Sequence, residues 1–217
     1  GVYLGDGWLL TAGHVVQAAR NQKKTDVVIG GRPFVLRADT AKTVQSGKER
    51  TDLVVVRIDG DPGLPRLEIA QRAAAVGTEV VLAGNGPLQE ARRGCWNASG
   101  QPVRSAGPGI LCGYAWRKTP EGKTNGVAWG TNQVASVGES IPGPGGARTR
   151  GFATQFRDEG ATAREAQAGV GDSGGPVLAR EGDGHVLAGV MLGVAARSGS
   201  AALFGDRTLV ADLSHYR

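Results

Sequence analysis

The 217 residues predict an all-β fold. Apolar segments are short and rich in β-branched residues, as in Leu53-Val54-Val55-Val56, Val80-Val81-Leu82 and Leu209-Val210, the composition of strands. Glycine occurs 36 times and falls between these segments without clustering into repeats, so it punctuates strands and does not build a low-complexity region. No heptad pattern and no internal repeat interrupts this rhythm. The length accommodates one large all-β domain or two small ones, and 40% hydrophobic residues suffice for a core.

Taken in order, Val2-Tyr3-Leu4 and Trp8-Leu9-Leu10-Thr11-Ala12 flank Gly5-Asp6-Gly7, a strong hairpin signal. Residues 17–20 fit one helical turn. Residues 25–30 and 33–37 form a second hairpin around Gly30-Gly31, and 38–50 reads as a surface strand or loop. Thr51-Asp52 opens a nearly continuous apolar run to Ile58, a strand buried on both faces or packed tightly. Residues 60–76, rich in proline, glycine and small residues, read as a linker, dividing the chain into 1–68 and 77–217. Residues 78–83 are a strand, 92–125 a long Gly/Pro-rich insertion, and 126–137 strand and turn. Residues 141–151 read as a mobile surface loop and 152–156 as an alternating strand. Residues 177–179 and 186–194 make a hairpin around Gly182-Asp183-Gly184, and 209–213 is the last strand.

The net charge of +5 comes from basic groups at 20–24, 42–50, 92–93 and 148–150. Each lies in a polar segment, and aromatics, 5% of the chain, are not interleaved with them. That favours solvated loops over a nucleic-acid platform. No apolar run approaches the ~18 residues of a membrane span. The chain opens on a strand-like segment without an initiator Met or a signal-peptide pattern, which reads as a processed chain. Cys95 and Cys112 flank residues 96–111. Paired, they close a loop worth about 3 kcal/mol and imply an oxidising compartment; unpaired, they are two buried thiols. Their spacing fits no zinc motif, and His185 and His215 lie far off in sequence.

Three motifs carry chemistry. Gly171-Asp172-Ser173-Gly174-Gly175-Pro176 sets a serine among glycines just before an apolar run. A serine hydroxyl needs a base to remove its proton and backbone N–H groups to hold the resulting oxyanion; flanking glycines allow a tight turn with both. Upstream stand Trp8-Leu9-Leu10-Thr11-Ala12-Gly13-His14 and Asp52 before its apolar run. Asp26, before Val27-Val28-Ile29, is the fallback acid.

These motifs resemble the nucleophile, histidine and aspartate motifs of the trypsin/chymotrypsin-like serine peptidases, in that family's His–Asp–Ser order. Gly13 departs from the family's usual alanine. The resemblance runs along almost the whole chain and implies two antiparallel six-stranded Greek-key β-barrels, the first lacking its initial strands. It implies His14, Asp52 and Ser173 as catalytic residues, with the N–H groups of Gly171 and Ser173 as oxyanion hole. It places Gln167 and Ala168 at the floor of the primary pocket and Gly193 in its wall. With no acid at Gln167, uncharged side chains are expected before the scissile bond. The implied partner is a protein or peptide, with no cofactor, metal, nucleic acid or membrane. Few cysteines and Gly-rich loops look bacterial and exported, hence secreted or periplasmic. The alternatives are a non-catalytic or dormant member acting as a binding module, a protease–chaperone, and an esterase using the same residues.

Overall fold

The computed structural model describes residues 1–117, 126–160 and 162–217. The first unit is an open antiparallel sheet. β1 (Val2–Gly5) and β2 (Trp8–Ala12) form the expected hairpin, with Asp6 in the left-handed region at φ 50°. Helix α1 (Gly13–Asn21) follows directly and is longer than the single turn expected. β3 (Asp26–Ile29), β4 (Arg32–Ser46) and β5 (Glu49–Ile58) complete the sheet in the order β1-β2-β5-β4-β3. The β4 pairing with β5 shifts register between Arg37 and Lys42, so one strand crosses the polar stretch that reads as strand or loop. β5 is buried from Thr51 to Ile58 apart from half-buried Val55 and exposed Arg57, as its nearly continuous apolar run requires.

The second unit begins with β6 (Glu79–Gly84). β7 (Gln89–Trp96), β8 (Pro102–Val103) and β9 (Leu111–Trp116) lie in the segment expected to be an insertion; its last residues, 118–125, fall outside the described ones. Then come β10 (Ala128–Pro142), β11 (Arg148–Gln155), β12 (Pro176–Glu181), β13 (Gly184–Ala195), β14 (Ala201–Leu203) and β15 (Arg207–Asp212). Six strands close a barrel in the order β10-β11-β15-β13-β12-β6, and β14-β9-β7-β8 form a separate sheet. Cys95 and Cys112 stand directly opposite on β7 and β9 and form a disulfide. Glycine, proline and arginine in this region hide strands whose outer face is solvated: β7 is mostly exposed.

The expected loop at 141–151 is instead the β10–β11 hairpin, closed by a 3-10 turn at Pro144–Gly146. Arg148 and Arg150 point outward while Thr149 and Gly151 are buried, a strand alternation that the arginines mask in sequence. The end of the chain is a 3-10 turn, Leu213–Tyr216, capped by the Asp212 carboxylate, which accepts from the Ser214 N–H.

The barrel interior holds Val80, Val134, Phe152, Val177 and Val210. A second cluster joins the two units: Leu10 and Leu53 of the sheet pack with Ile141, Leu187 and Val190 of the barrel strands. That shared apolar seam holds the two units in one register, and the candidate site lies at its edge.

Candidate active site

His14 is placed by strand pairing. β2 runs beside β5 with Ala12 opposite Leu53, so the chain turning into α1 carries His14 onto Asp52. The Asp52 carboxylate accepts twice from His14, from the backbone N–H at 2.9 Å and at 2.6 Å from the ring nitrogen Nδ1. The Asp52 N–H donates to the Thr149 hydroxyl at 2.9 Å, tying this residue to the barrel unit. Asp52 is only 7% exposed, and a buried carboxylate needs such partners. Asp26 stands exposed on β3; Asp52 is the acid that meets the histidine.

Gly13, the departure from the family pattern, has a physical reason here. A Cβ on it would sit 2.9 Å from Asp52 Oδ1, closer than a methyl group tolerates. Gly143 similarly faces Asp52 Cβ, 2.9 Å from where its own Cβ would be. The bond to Asp52 raises the His14 pKa above 6.5, partial burial opposes this, and the nearby negative charge adds to the rise. Asp52 also orients the ring: with Nδ1 donating to the carboxylate, Nε2 is left as the acceptor.

Ser173 is placed by backbone, not by side-chain bonds. Its neighbour Asp172 turns away and accepts from the Gly86 N–H at 2.7 Å and the Gly169 N–H at 2.8 Å. A Cβ at Gly84 would collide with that carboxylate, and one at Gly86 would lie 2.6 Å from it, so both glycines are required by close approach. The acid before Ser173 is thus held by two main-chain amides. Gly174 donates to the Met191 carbonyl at 2.7 Å and Met191 donates to the Gly175 carbonyl at 2.9 Å, pinning the turn to β13. Gly174 also abuts Thr11, where a Cβ would collide with the threonine hydroxyl. The turn that bears Ser173 therefore packs on the end of the strand that delivers His14.

Gly171 has φ +109°, which favours glycine. Among the described residues, neither the Gly171 nor the Ser173 N–H donates to a protein acceptor, and Ser173 Oγ makes no hydrogen bond to His14. Such a bond often closes only when substrate is bound.

Beyond this turn lies a cleft of about 190 Å³ lined by Gln167, Ala168, Gly169, Val170, Val194 and Trp116, among others. Gln167 and Ala168 are buried, and the Ala168 N–H donates to the Thr208 hydroxyl. Gly193 precedes Val194 on β13, and a Cβ there would meet nothing within 4 Å. Asp206 also lines the cleft, a carboxylate that sequence reasoning missed. It is fully buried and already occupied: Arg197 donates to one oxygen through N–H and Nε, and the Leu203 N–H donates to the other. Its place at the mouth of β15, after Gly205, was readable only as a turn. Thr149 and Trp116 were likewise missed, because each sits in a segment that reads as loop or insertion.

The described residues contain no cluster of His, Cys, Asp and Glu able to hold a metal ion, and no helix among them is long and apolar enough to cross a membrane.

Comparison with known structures shows the same fold. A protease of M. tuberculosis, Rv3671c, in its inactive form, aligns with TM-score 0.52 at 17% identity, covering 99% of this chain and 78% of that one. Its active form aligns with TM-score 0.50, covering 99% and 68%. Neuropsin, a serine protease of mouse brain, aligns with TM-score 0.52 at 15% identity, covering 100% of this chain and 84% of that one. No curated protein sequence matches the chain. The sequence model of one family, the trypsin-like peptidase domain, matches residues 1–188. The chain thus belongs to the trypsin-like peptidase domain family.

Proposed function

We propose that the chain is a serine endopeptidase acting through His14, Asp52 and Ser173. The observation that carries this reading is the His14–Asp52 pair. A buried carboxylate grips both the N–H and the Nδ1 of one histidine, and this leaves Nε2 as the base. Ser173 attacks the scissile carbonyl while His14 takes its proton. The oxyanion is held by the Gly171 and Ser173 N–H groups, which have no protein acceptor among the described residues. His14 then gives the proton to the leaving amine as the bond breaks, and water hydrolyses the acyl-enzyme by the same relay. No cofactor enters this scheme.

Residues 1–68 supply the base and its acid, and 77–217 supply the nucleophile and the pocket formed by Gln167, Ala168 and Gly193. The Cys95–Cys112 disulfide favours a secreted or periplasmic setting, because cytosolic disulfides are rare. The test is hydrolysis of a peptide library, read by mass spectrometry, with pre-steady-state kinetics on an activated ester. The reading expects internal cleavage and an acyl-enzyme burst, both absent in Ser173→Ala. Cleavage that survives in Ser173→Ala contradicts it.

A further inference from the structure

Gln167 is 6% exposed, and among the described residues neither its Oε1 nor its Nε2 has a hydrogen-bond partner. A buried amide without partners is costly and uncommon in a folded protein. Here it stands in the wall of the cleft beyond Ser173. Both atoms are closed off from solvent, so an occupant reaches them once the side chain turns toward the cleft; turned so, one donor and one acceptor on the same planar unit ask for an occupant that carries an acceptor and a donor in the complementary arrangement. A primary amide is such an occupant: its N–H donates to Oε1 and its carbonyl accepts from Nε2.

Charged occupants fit less well. A carboxylate accepts from Nε2 but presses a negative charge on Oε1. An ammonium or guanidinium satisfies Oε1 and leaves Nε2 facing a cation. Asp206, the only carboxylate among the described residues that line the cleft, is held by Arg197 and the Leu203 N–H, so it offers little attraction to a basic side chain. An aliphatic side chain would fill the space beside Trp116 and Val194 but leave both ends of the amide unpaired.

We infer that this cleft selects a primary-amide side chain, glutamine foremost, at the residue preceding the scissile bond, with Gln167 pairing amide to amide. The inference deepens the peptidase reading and rests on it for the identity of the cleft. A second orphan lies nearby and provides a control. Gln89 Nε2 is also buried without a partner among the described residues, but Gln89 lines the neighbouring cleft of about 130 Å³ beside Asp172, which shares Gln167, Ala168 and Trp116 with the first.

The experiment compares two peptides that differ only at this position, glutamine against the near-isosteric methionine. Two readouts are taken: kcat/KM on the wild-type chain, and calorimetric affinity on Ser173→Ala. Glutamine is expected to win by about 10- to 100-fold in both, the range that one satisfied buried pair supplies. Gln167→Leu erases that ratio, and Gln89→Leu leaves it unchanged. Equal turnover of the two peptides by an active enzyme overturns the inference and leaves the peptidase reading standing; Gln167 is then satisfied by water alone. Preferential binding of the glutamine peptide to a chain that hydrolyses neither supports the cleft chemistry and overturns the peptidase reading. Loss of the ratio in Gln89→Leu, with the ratio intact in Gln167→Leu, assigns the wrong residue and overturns the inference as well.

Discussion

Asp52 holds His14 and Asp172 adjoins Ser173, and each carboxylate accepts two hydrogen bonds. Their donors differ in kind. Asp52 takes one backbone N–H and one imidazole, a group that titrates near neutrality. Asp172 takes two main-chain amides, which never titrate in water at ordinary pH. In the proposed scheme the first acid is coupled to proton transfer, while the second sets the shape of a turn. The surroundings repeat the contrast. Asp52 is anchored across the seam by Thr149, while Asp172 sits where Gly84 and Gly86 make room for it. One half of the candidate site is built from side-chain chemistry and the other from backbone space.

This contrast makes its largest prediction at Asp52. Asp52→Asn keeps an acceptor for the His14 N–H but offers an amide donor to Nδ1, which selects the wrong tautomer. Turnover is expected to fall by about 10⁴-fold with the fold intact, as loss of this acid does in the triad scheme. Circular dichroism and melting temperature check the fold, and near-normal turnover breaks the assignment.

Asp172→Asn should behave differently. Its amide must face one of the two N–H donors, leaving a poor pairing worth about 1–3 kcal/mol. Gly84→Ala forces the same carboxylate out by collision, at about 1–3 kcal/mol. Both variants should lose stability in denaturant titrations together with activity. Loss of activity without loss of stability in either one would assign Asp172 a chemical role and dissolve the contrast.

The pH profile sharpens the comparison next. His14 has a pKa raised above 6.5, chiefly by its bond to Asp52. A base must be neutral to act, so activity should rise with pH through a midpoint above 6.5. The sign is the same for stability. The His14–Asp52 attraction is fully present below 6.5 and is lost as pH climbs through the raised pKa. In Asp52→Asn both raising causes are removed and burial remains, so residual activity should show a midpoint below 6.5. Asp172→Asn should not move the midpoint.

The smallest effect is expected at Gly13→Ala. The added methyl meets Asp52 Oδ1 at 2.9 Å and must push it, at about 1 kcal/mol. The pH midpoint should drop slightly as the pair loosens; an unchanged midpoint would mean that the turn adapts without disturbing Asp52.

Much of this was legible in the sequence, for identifiable reasons. The hairpin at Asp6-Gly7 and the buried strand after Asp52 follow from local turn chemistry and apolar continuity. His14, Asp52 and Ser173 stood out because each motif is contiguous. The strands β7 and β9 did not: β7 exposes Glu90, Ala91, Arg92 and Arg93 in a row, and the half-buried β9 is a short run interrupted by Gly113. The β10–β11 turn read as loop because its glycines and prolines dominate the local signal, while the inward Thr149 is a single residue whose partner lies 97 positions away. Asp206 escaped for a different reason: its partners Arg197 and Leu203 are close in sequence, but nothing in a turn signal says that its carboxylate is buried. Partners of single polar residues, near or far in the chain, leave no periodic trace.

The most direct measurement is covalent labelling with a fluorophosphonate, followed by intact mass and peptide mapping. The account predicts one adduct per chain, on Ser173, formed faster as pH rises through the His14 midpoint and absent in Ser173→Ala. A folded chain that takes no label, or one that labels equally when Ser173 is alanine, would contradict it.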